Sequence, residues 1–148
     1  MEIRCISRDK RDYLPLLLLG DEQEEMIGRY LDRGELFALY DGSALCTVAV
    51  VTDEGGGVCE LKNLATWPER QGRGCATALL EFLFAHYASR FHTMQLGTGD
   101  SPRTVPFYQK RGFVYFRRVP NFFTDYYDHP IVEDGVRLTD MVYFKRKL

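Results

Sequence analysis

A chain of 148 residues is long enough for one domain with a real core and short for two, so residues 1–148 are expected to form a single domain. Hydrophobic residues make up 45% and aromatic residues 14%, a globular composition that excludes disorder. The 19 lysines and arginines against 21 acids give a formal charge of -2, which argues against wholesale binding of nucleic acid through a basic face.

The opening residues 2–7 alternate weakly and predict a first strand. Residues 8–19 and 21–33 predict two helices split near Gly20. Asp21 is a candidate N-cap, with Glu24 three residues later as in a capping box, and Met26, Ile27, Tyr30 and Leu31 share one helical face. The apolar run 14–19 contains Pro15 and is too short to cross a bilayer, so it reads as a buried helix segment. No signal-peptide pattern is present and no membrane association is expected.

Residues 35–40 and 44–51 predict strands joined by Asp41-Gly42, a strong hairpin signal. Residues 52–57 form a glycine-rich turn, and 58–66 predict a fourth strand that ends before Pro68. From Gly74 the period changes: Ala76, Leu79, Leu80, Leu83, Phe84 and Tyr87 mark an amphipathic helix. A fifth strand over 92–96 precedes a short helix that starts at Ser101 or Thr104 and is ended by Gly112. Residues 113–118 and 136–145 predict the last strands, joined by a long aromatic and acidic connection. The order β-α-α-β-β-β-α-β-α-β-β is that of an α/β or α+β domain. Cys5, Cys46, Cys59 and Cys75 show no Cys-x-x-Cys spacing and no histidine at metal-ligand spacing. Neither a disulfide framework nor a metal site is therefore expected, and a reducing cytoplasm is the expected compartment.

The segment between the fourth strand and the following helix carries the most chemistry. The first turn of a helix has backbone N–H groups without partners and the positive end of the dipole, and a pyrophosphate satisfies both. Gly72, Gly74 and Ala76 allow close approach, and Arg70 and Arg73 add positive charge. This is neither the dinucleotide fingerprint, whose Gly-x-Gly-x-x-Gly spacing is absent, nor a P-loop, since no Gly-Lys-Ser/Thr follows.

Gln71-Gly72-Arg73-Gly74-Cys75-Ala76 resembles the GNAT acetyltransferase pattern Gln/Arg-x-x-Gly-x-Gly/Ala, with Leu79-Leu80 at the usual place. A second stretch, Phe107-Tyr108-Gln109-Lys110-Arg111-Gly112-Phe113, looks like the family's helix and strand after the fifth strand. The two motifs, in the family's separation and order, are more specific than either alone. The resemblance implies a single GNAT domain with a mixed, splayed sheet of about seven strands flanked by about four helices. It implies acetyl-CoA in the cleft between the fourth and fifth strands. By the same resemblance, the N–H groups of Gln71, Gly72, Arg73, Gly74, Cys75, Ala76 and Thr77 cradle the CoA pyrophosphate, while the backbone of Leu64, Ala65 and Thr66 bonds the pantetheine arm as an added strand.

The resemblance assigns Tyr108 to protonating, or hydrogen-bonding, the thiolate that leaves when an amine attacks the thioester. Glu60 has two readings. It is the general base that some members place in the fourth strand, or it is a buried carboxylate held in a salt bridge, for example with Lys62. A chain of waters is a third candidate for the base. Asp100 stands near the family's asparagine and either contacts the cofactor or caps the next helix. Pro106 departs from the family pattern and fits only if that helix starts near Thr104.

The acceptor pocket in such enzymes is walled by the first helices and the last hairpin. Asp21, Glu22, Glu24 and Glu25 lie in the first region, and Asp125, Asp128, Glu133 and Asp134 lie in the last among Phe122, Phe123, Tyr126 and Tyr127. Acidic and aromatic groups together suit a small cationic amine; a solvated helix face and a plain hairpin surface are the competing readings. The function implied is N-acetylation of a primary amine by direct attack in a ternary complex. A protein lysine or N-terminus as acceptor, and a non-catalytic acyl-CoA-binding module, are the alternatives. The late strand 136–145 is compatible with pairing in a homodimer or with finishing this sheet.

Overall fold

The computed structural model describes all 148 residues, and the chain divides into two units, Met1–His92 with Leu148 and Thr93–Lys147. In the first unit, four antiparallel strands stand in the order β1 (Glu2–Ile6), β2 (Glu35–Asp41), β3 (Ala44–Gly55) and β4 (Val58–Thr66). Both faces of this sheet are covered, which is why the β2 and β3 sequences are continuous apolar runs instead of alternating ones. Leu36, Ala38, Val48, Val50 and Ala65 pack against Leu16 and Leu17 of α1 (Leu14–Gly20), Ile27 of α2 (Glu24–Gly28), and Tyr30 and Leu31 just beyond it. On the opposite face Phe37 meets Tyr87 of α3 (Cys75–Tyr87), which also buries Leu79, Leu80 and Leu83.

The helical region before β2 departs from the sequence expectation. A 3-10 turn (Lys10–Tyr13) leads into α1, and α2 covers only Glu24–Gly28. Asp21 is not an N-cap: Gln23 holds that position without a side-chain cap bond, and the expected capping box is absent. Asp21 instead ends α1, and its carboxylate accepts a hydrogen bond from the Tyr30 hydroxyl at 3.0 Å. The carboxylate is taken up by a tertiary partner, so it is not available to the local backbone.

A β-bulge in β4 decides which side chains share a face. Val50 pairs with Asn63 but Val51 pairs with Leu61, so Lys62 is the extra residue. Side chains alternate along a strand, so Glu60 and Asn63 would ordinarily face opposite ways. The bulge puts Glu60 (opposite Thr52), Asn63 (opposite Val50) and Ala65 (opposite Val48) on the face covered by α1 and α2.

In the second unit β9 (Met141–Lys147) lies between β5 (Thr93–Gly99) and β6 (Val114–Val119), antiparallel to both. The helix α4 (Thr104–Gln109) follows β5, and α5 (Phe122–Tyr126) follows β6. The helix count is thus five α-helices, one more than expected. The expected single strand over 136–145 is two: β8 (Val136–Arg137) pairs with β7 (Val132–Glu133) in a small hairpin, and β9 begins after a break. At the break Asp140 accepts from the Asn121 N–H at 2.9 Å and pairs with Arg118 at 3.0 Å, anchoring the chain where it changes partners. All four cysteines are free, and no helix is long and apolar enough to cross a membrane.

Candidate active site

In the first unit β4 runs into a 3-10 turn (Pro68–Arg70) and then into the glycine pair. The Trp67 N–H donates to the Cys46 carbonyl at 3.1 Å, and the Gln71 side-chain amide donates to the Thr66 carbonyl at 3.3 Å, so the turn is tied back to both flanking strands. Gly72 (φ 75°) and Gly74 (φ 80°) lie in the left-handed region, and beyond the adjoining residues nothing stands within 4 Å of where a Cβ would sit on either. Both glycines are therefore required by backbone conformation, not by crowding within the protein. The first helical bond of α3 is Ala78 N–H to Gly74 carbonyl at 2.9 Å. The Cys75 and Ala76 N–H groups ahead of it have no helical carbonyl to bond. The Gln71 N–H is already donated to the Pro68 carbonyl at 3.3 Å. Arg73 is exposed, whereas Arg70 is engaged by Asp41 at 3.3 Å.

Glu60 lies deep in the unit, with its side chain 7% exposed, and its carboxylate contacts the Lys62 ammonium at 2.6 Å. The salt-bridge reading of Glu60 is realised; its role as a base is a separate matter of chemistry. Three residues on, the Asn63 amide donates to the Leu17 carbonyl at 3.0 Å and to the Tyr30 hydroxyl at 3.1 Å, while its oxygen has no partner. Leu64 and Ala65 pair with Ala49 and Val48, and the Thr66 hydroxyl meets that of Thr47 at 3.0 Å. Burial, helped by the neighbouring Cys46 thiol, pushes the Cys75 thiol up, and burial pushes Cys59 up to about 11. Both stay protonated near neutral pH and are poor nucleophiles.

In the second unit α4 starts at Thr104, as Pro106 requires, because a proline in the first turn forfeits only an N–H that would be unbonded anyway. Asp100 does not cap α4: Arg103 holds the N-cap position without a side-chain cap bond, and the Ser101 hydroxyl accepts from the Thr104 N–H at 3.1 Å. Asp100 itself pairs with Arg118 at 3.2 Å. Tyr108 is only 8% exposed and is held edge-to-face by Phe107 (5.2 Å between centroids) and Phe113 (5.7 Å). Gly112 (φ 87°) ends the helix, and the Phe113 N–H returns to the Tyr108 carbonyl at 3.2 Å. The motif therefore packs one phenol ring against two aromatic neighbours. Burial, with the nearby charge of Glu133, pushes the Tyr108 phenol well above the ordinary tyrosine range, so it stays protonated.

A family model for an acetyltransferase (GNAT) domain matches residues 32–115, more than half of the chain. The chain belongs to the GNAT acetyltransferases. The N-acetyltransferase YvbK of Bacillus subtilis is 32% identical over 129 residues, covering 86% of this chain and 83% of that one. A GNAT family acetyltransferase from Elizabethkingia anophelis, solved with acetyl-CoA bound, is 30% identical with a TM-score of 0.93, over 99% of this chain and 97% of that one. A Bacillus subtilis acetyltransferase solved in complex with CoA is 28% identical with a TM-score of 0.90, over 99% and 98% of the two chains. The fold is thus the mixed α/β GNAT fold, and this GNAT protein is an acyltransferase.

Two features of this GNAT chain escaped the sequence. The bulge at Lys62 leaves no composition signal, and with it goes the facing of Glu60 and Asn63. The partnerless Asn63 oxygen had one trace, Gly20, which has room for no side chain beside it.

Proposed function

We propose that residues 1–148 work as one acetyltransferase domain that moves an acetyl group from acetyl-CoA to the primary amine of a small cationic metabolite, by direct attack in a ternary complex. The observation that carries the reading is Tyr108, a buried phenol packed against Phe107 and Phe113. The acetyl-CoA and CoA complexes of the two similar enzymes support the choice of cosubstrate.

The residues present fit such a cosubstrate. The N–H groups of Cys75 and Ala76 at the positive end of α3 suit a pyrophosphate, and the left-handed Gly72 and Gly74 offer an unobstructed backbone for it. Arg73 is the cation available at that turn, and the backbone of Leu64, Ala65 and Thr66 would run along the pantetheine arm. Asp100, tied to Arg118, is left out of the proposed contacts.

Acetyl-CoA supplies the activated acetyl group. The neutral amine attacks the thioester carbonyl, the C–S bond breaks, and the sulfur leaves as a thiolate. The Tyr108 hydroxyl donates a hydrogen bond to that developing charge. A phenol raised above about 10 does not hand its proton outright to a thiolate of pKa about 8.5, so stabilisation of the anion, not full transfer in advance, is its contribution. The amine's proton goes to Glu60 or to water. The protonated state of Cys59 and Cys75 favours direct transfer over an acetyl-cysteine route.

The test is thiol release from acetyl-CoA with a panel of amines, including 1,4-diaminobutane and tyramine. Turnover with intersecting initial-rate patterns is expected. Tight CoA binding with no turnover of any amine would sink the enzyme reading, and parallel patterns would sink the direct mechanism.

A further inference from the structure

In the second unit β6 is an edge strand. It pairs with β9 alone, so the backbone N–H and C=O groups along its other side have no strand to bond, and no turn or loop bond takes them up. A bulge lies within the β6–β9 pairing. Tyr115 pairs with Phe144 but Arg117 pairs with Tyr143, so Phe116 is the extra residue. It puts Phe116 and Arg117 on one face, where both meet Tyr143. The Phe116 ring centre is 6.1 Å from that of Tyr143, and the Arg117 guanidinium stands 4.9 Å over the same ring.

Lys145 is two residues from Tyr143 and therefore shares this face, as does its partner Val114. The Lys145 ammonium reaches over the Phe116 ring at 5.1 Å, which brings it toward the β6 edge. The other face of β9 is the covered one. Val142 and Phe144 are buried there, and Arg146 donates to the Arg111 carbonyl just past α4. The Lys145 face is open by comparison: Val114 is 66% exposed, and Arg117 and Lys145 are exposed.

The charge on this open face is unmatched. Arg103 pairs with Asp134, and Arg118 pairs with Asp100 and Asp140. Arg117 and Lys145 instead meet aromatic rings and have no carboxylate partner, in a chain whose net charge is -2. A second copy of β6 would bring its own Arg117 and Arg118 to the edge, and like charges across a strand pair repel. A strand that carries carboxylates would be attracted.

We infer that the outer edge of β6 takes an extended acidic peptide as an added strand, with alternate carboxylates over Arg117 and Lys145. Main-chain bonds along the edge supply affinity, and the side chains that alternate across the added strand supply specificity. One set of these side chains lies over the open face, and the other lies beside Tyr115, which is 51% exposed.

The experiment titrates acetyl-Glu-Thr-Glu-Thr-Glu-Thr-amide into the full chain and follows the β6 amides by NMR. Wild type is expected to bind, and Arg117→Ala with Lys145→Ala to bind at least tenfold more weakly while amide shifts away from β6 and β9 stay in place. Lys110→Ala removes a cation at the end of α4, on the covered side, and should stay within twofold of wild type. The fully N-methylated peptide keeps its charges but has no N–H to donate, and should bind at least tenfold more weakly. No binding in wild type, equal binding of the N-methylated peptide, or an equal loss in Lys110→Ala would overturn the inference. So would concentration-dependent β6 shifts without peptide, the sign of a second copy on the edge. A thymidine hexanucleotide bound as tightly, and lost in the same double variant, would overturn it in favour of a nucleic-acid surface.

Discussion

The Lys62 ammonium lies 2.6 Å from the Glu60 carboxylate, two residues away on one strand and beside a bulge that turns Glu60 to the α1 side of the sheet. Both side chains are largely withdrawn from water, so the pair is costly to break from one side only. Lys62→Met is expected to destabilise the fold by about 3 kcal/mol, because it takes the ammonium from a buried carboxylate. Glu60→Gln with Lys62→Met should recover much of that loss in urea denaturation. A base role for Glu60 predicts that Glu60→Gln alone lowers kcat at least tenfold. An unchanged kcat would assign the proton to water.

Gly74 tests the anion site without touching a side chain. Alanine at φ 80° is expected to cost about 1 kcal/mol through backbone strain. If the turn binds CoA, Gly74→Ala should also weaken CoA at least tenfold by calorimetry. Gly42→Ala, at φ 61° in the β2–β3 turn and likewise in open space, should show a similar stability cost with CoA affinity unchanged.

Tyr108→Phe keeps the ring packed against Phe107 and Phe113 and removes only the hydroxyl. Turnover should fall about tenfold to a hundredfold, the range of one well-placed hydrogen bond to a developing anion. CoA affinity should change less than threefold. An equal fall in both would make the hydroxyl a binding group.

A Cβ at position 20 would run into the Asn63 side-chain oxygen and press on Ala65. Gly20→Ala is expected to destabilise the protein by about 1–3 kcal/mol, the usual cost of overpacking. Asn63→Ala should cost stability alone but soften the effect of Gly20→Ala, a coupling that a double-mutant cycle in urea reads directly.

Glu35 governs part of the acid stability. Burial pushes its carboxyl up, but the hydrogen bonds from Tyr87 at 2.8 Å and Arg90 at 2.9 Å prevail, and its pKa ends below the ordinary value. A carboxylate depressed in the folded state stabilises above its unfolded pKa of about 4.3, and the contribution is lost as pH falls through the lower folded value. Between pH 5 and pH 3, by the same reasoning, the melting temperature of wild type should fall more steeply than that of Glu35→Gln. Parallel curves would remove Glu35 from the acid response.

The sequence by itself determined the local devices. The Val58–Thr66 strand, the glycine pair before α3 and the Phe107–Phe113 segment are legible because each depends on residues a few positions apart. Left-handed glycines, a 3.6-residue apolar period and a helix ended by glycine are short-range physics. The tertiary structure decided what depends on distant partners. Asp21 was drawn from a cap to Tyr30, Asp100 was drawn to Arg118, and the Ser101 hydroxyl took the Thr104 N–H. It also broke the late strand at Asp140, because Asn121 and Arg118 claim that carboxylate. Most of all it set the bulge at Lys62, which puts Glu60 and Asn63 on one face. A single inserted residue changes the facing of a strand without changing its composition, so pairing with β3, not the sequence of β4, carries that information.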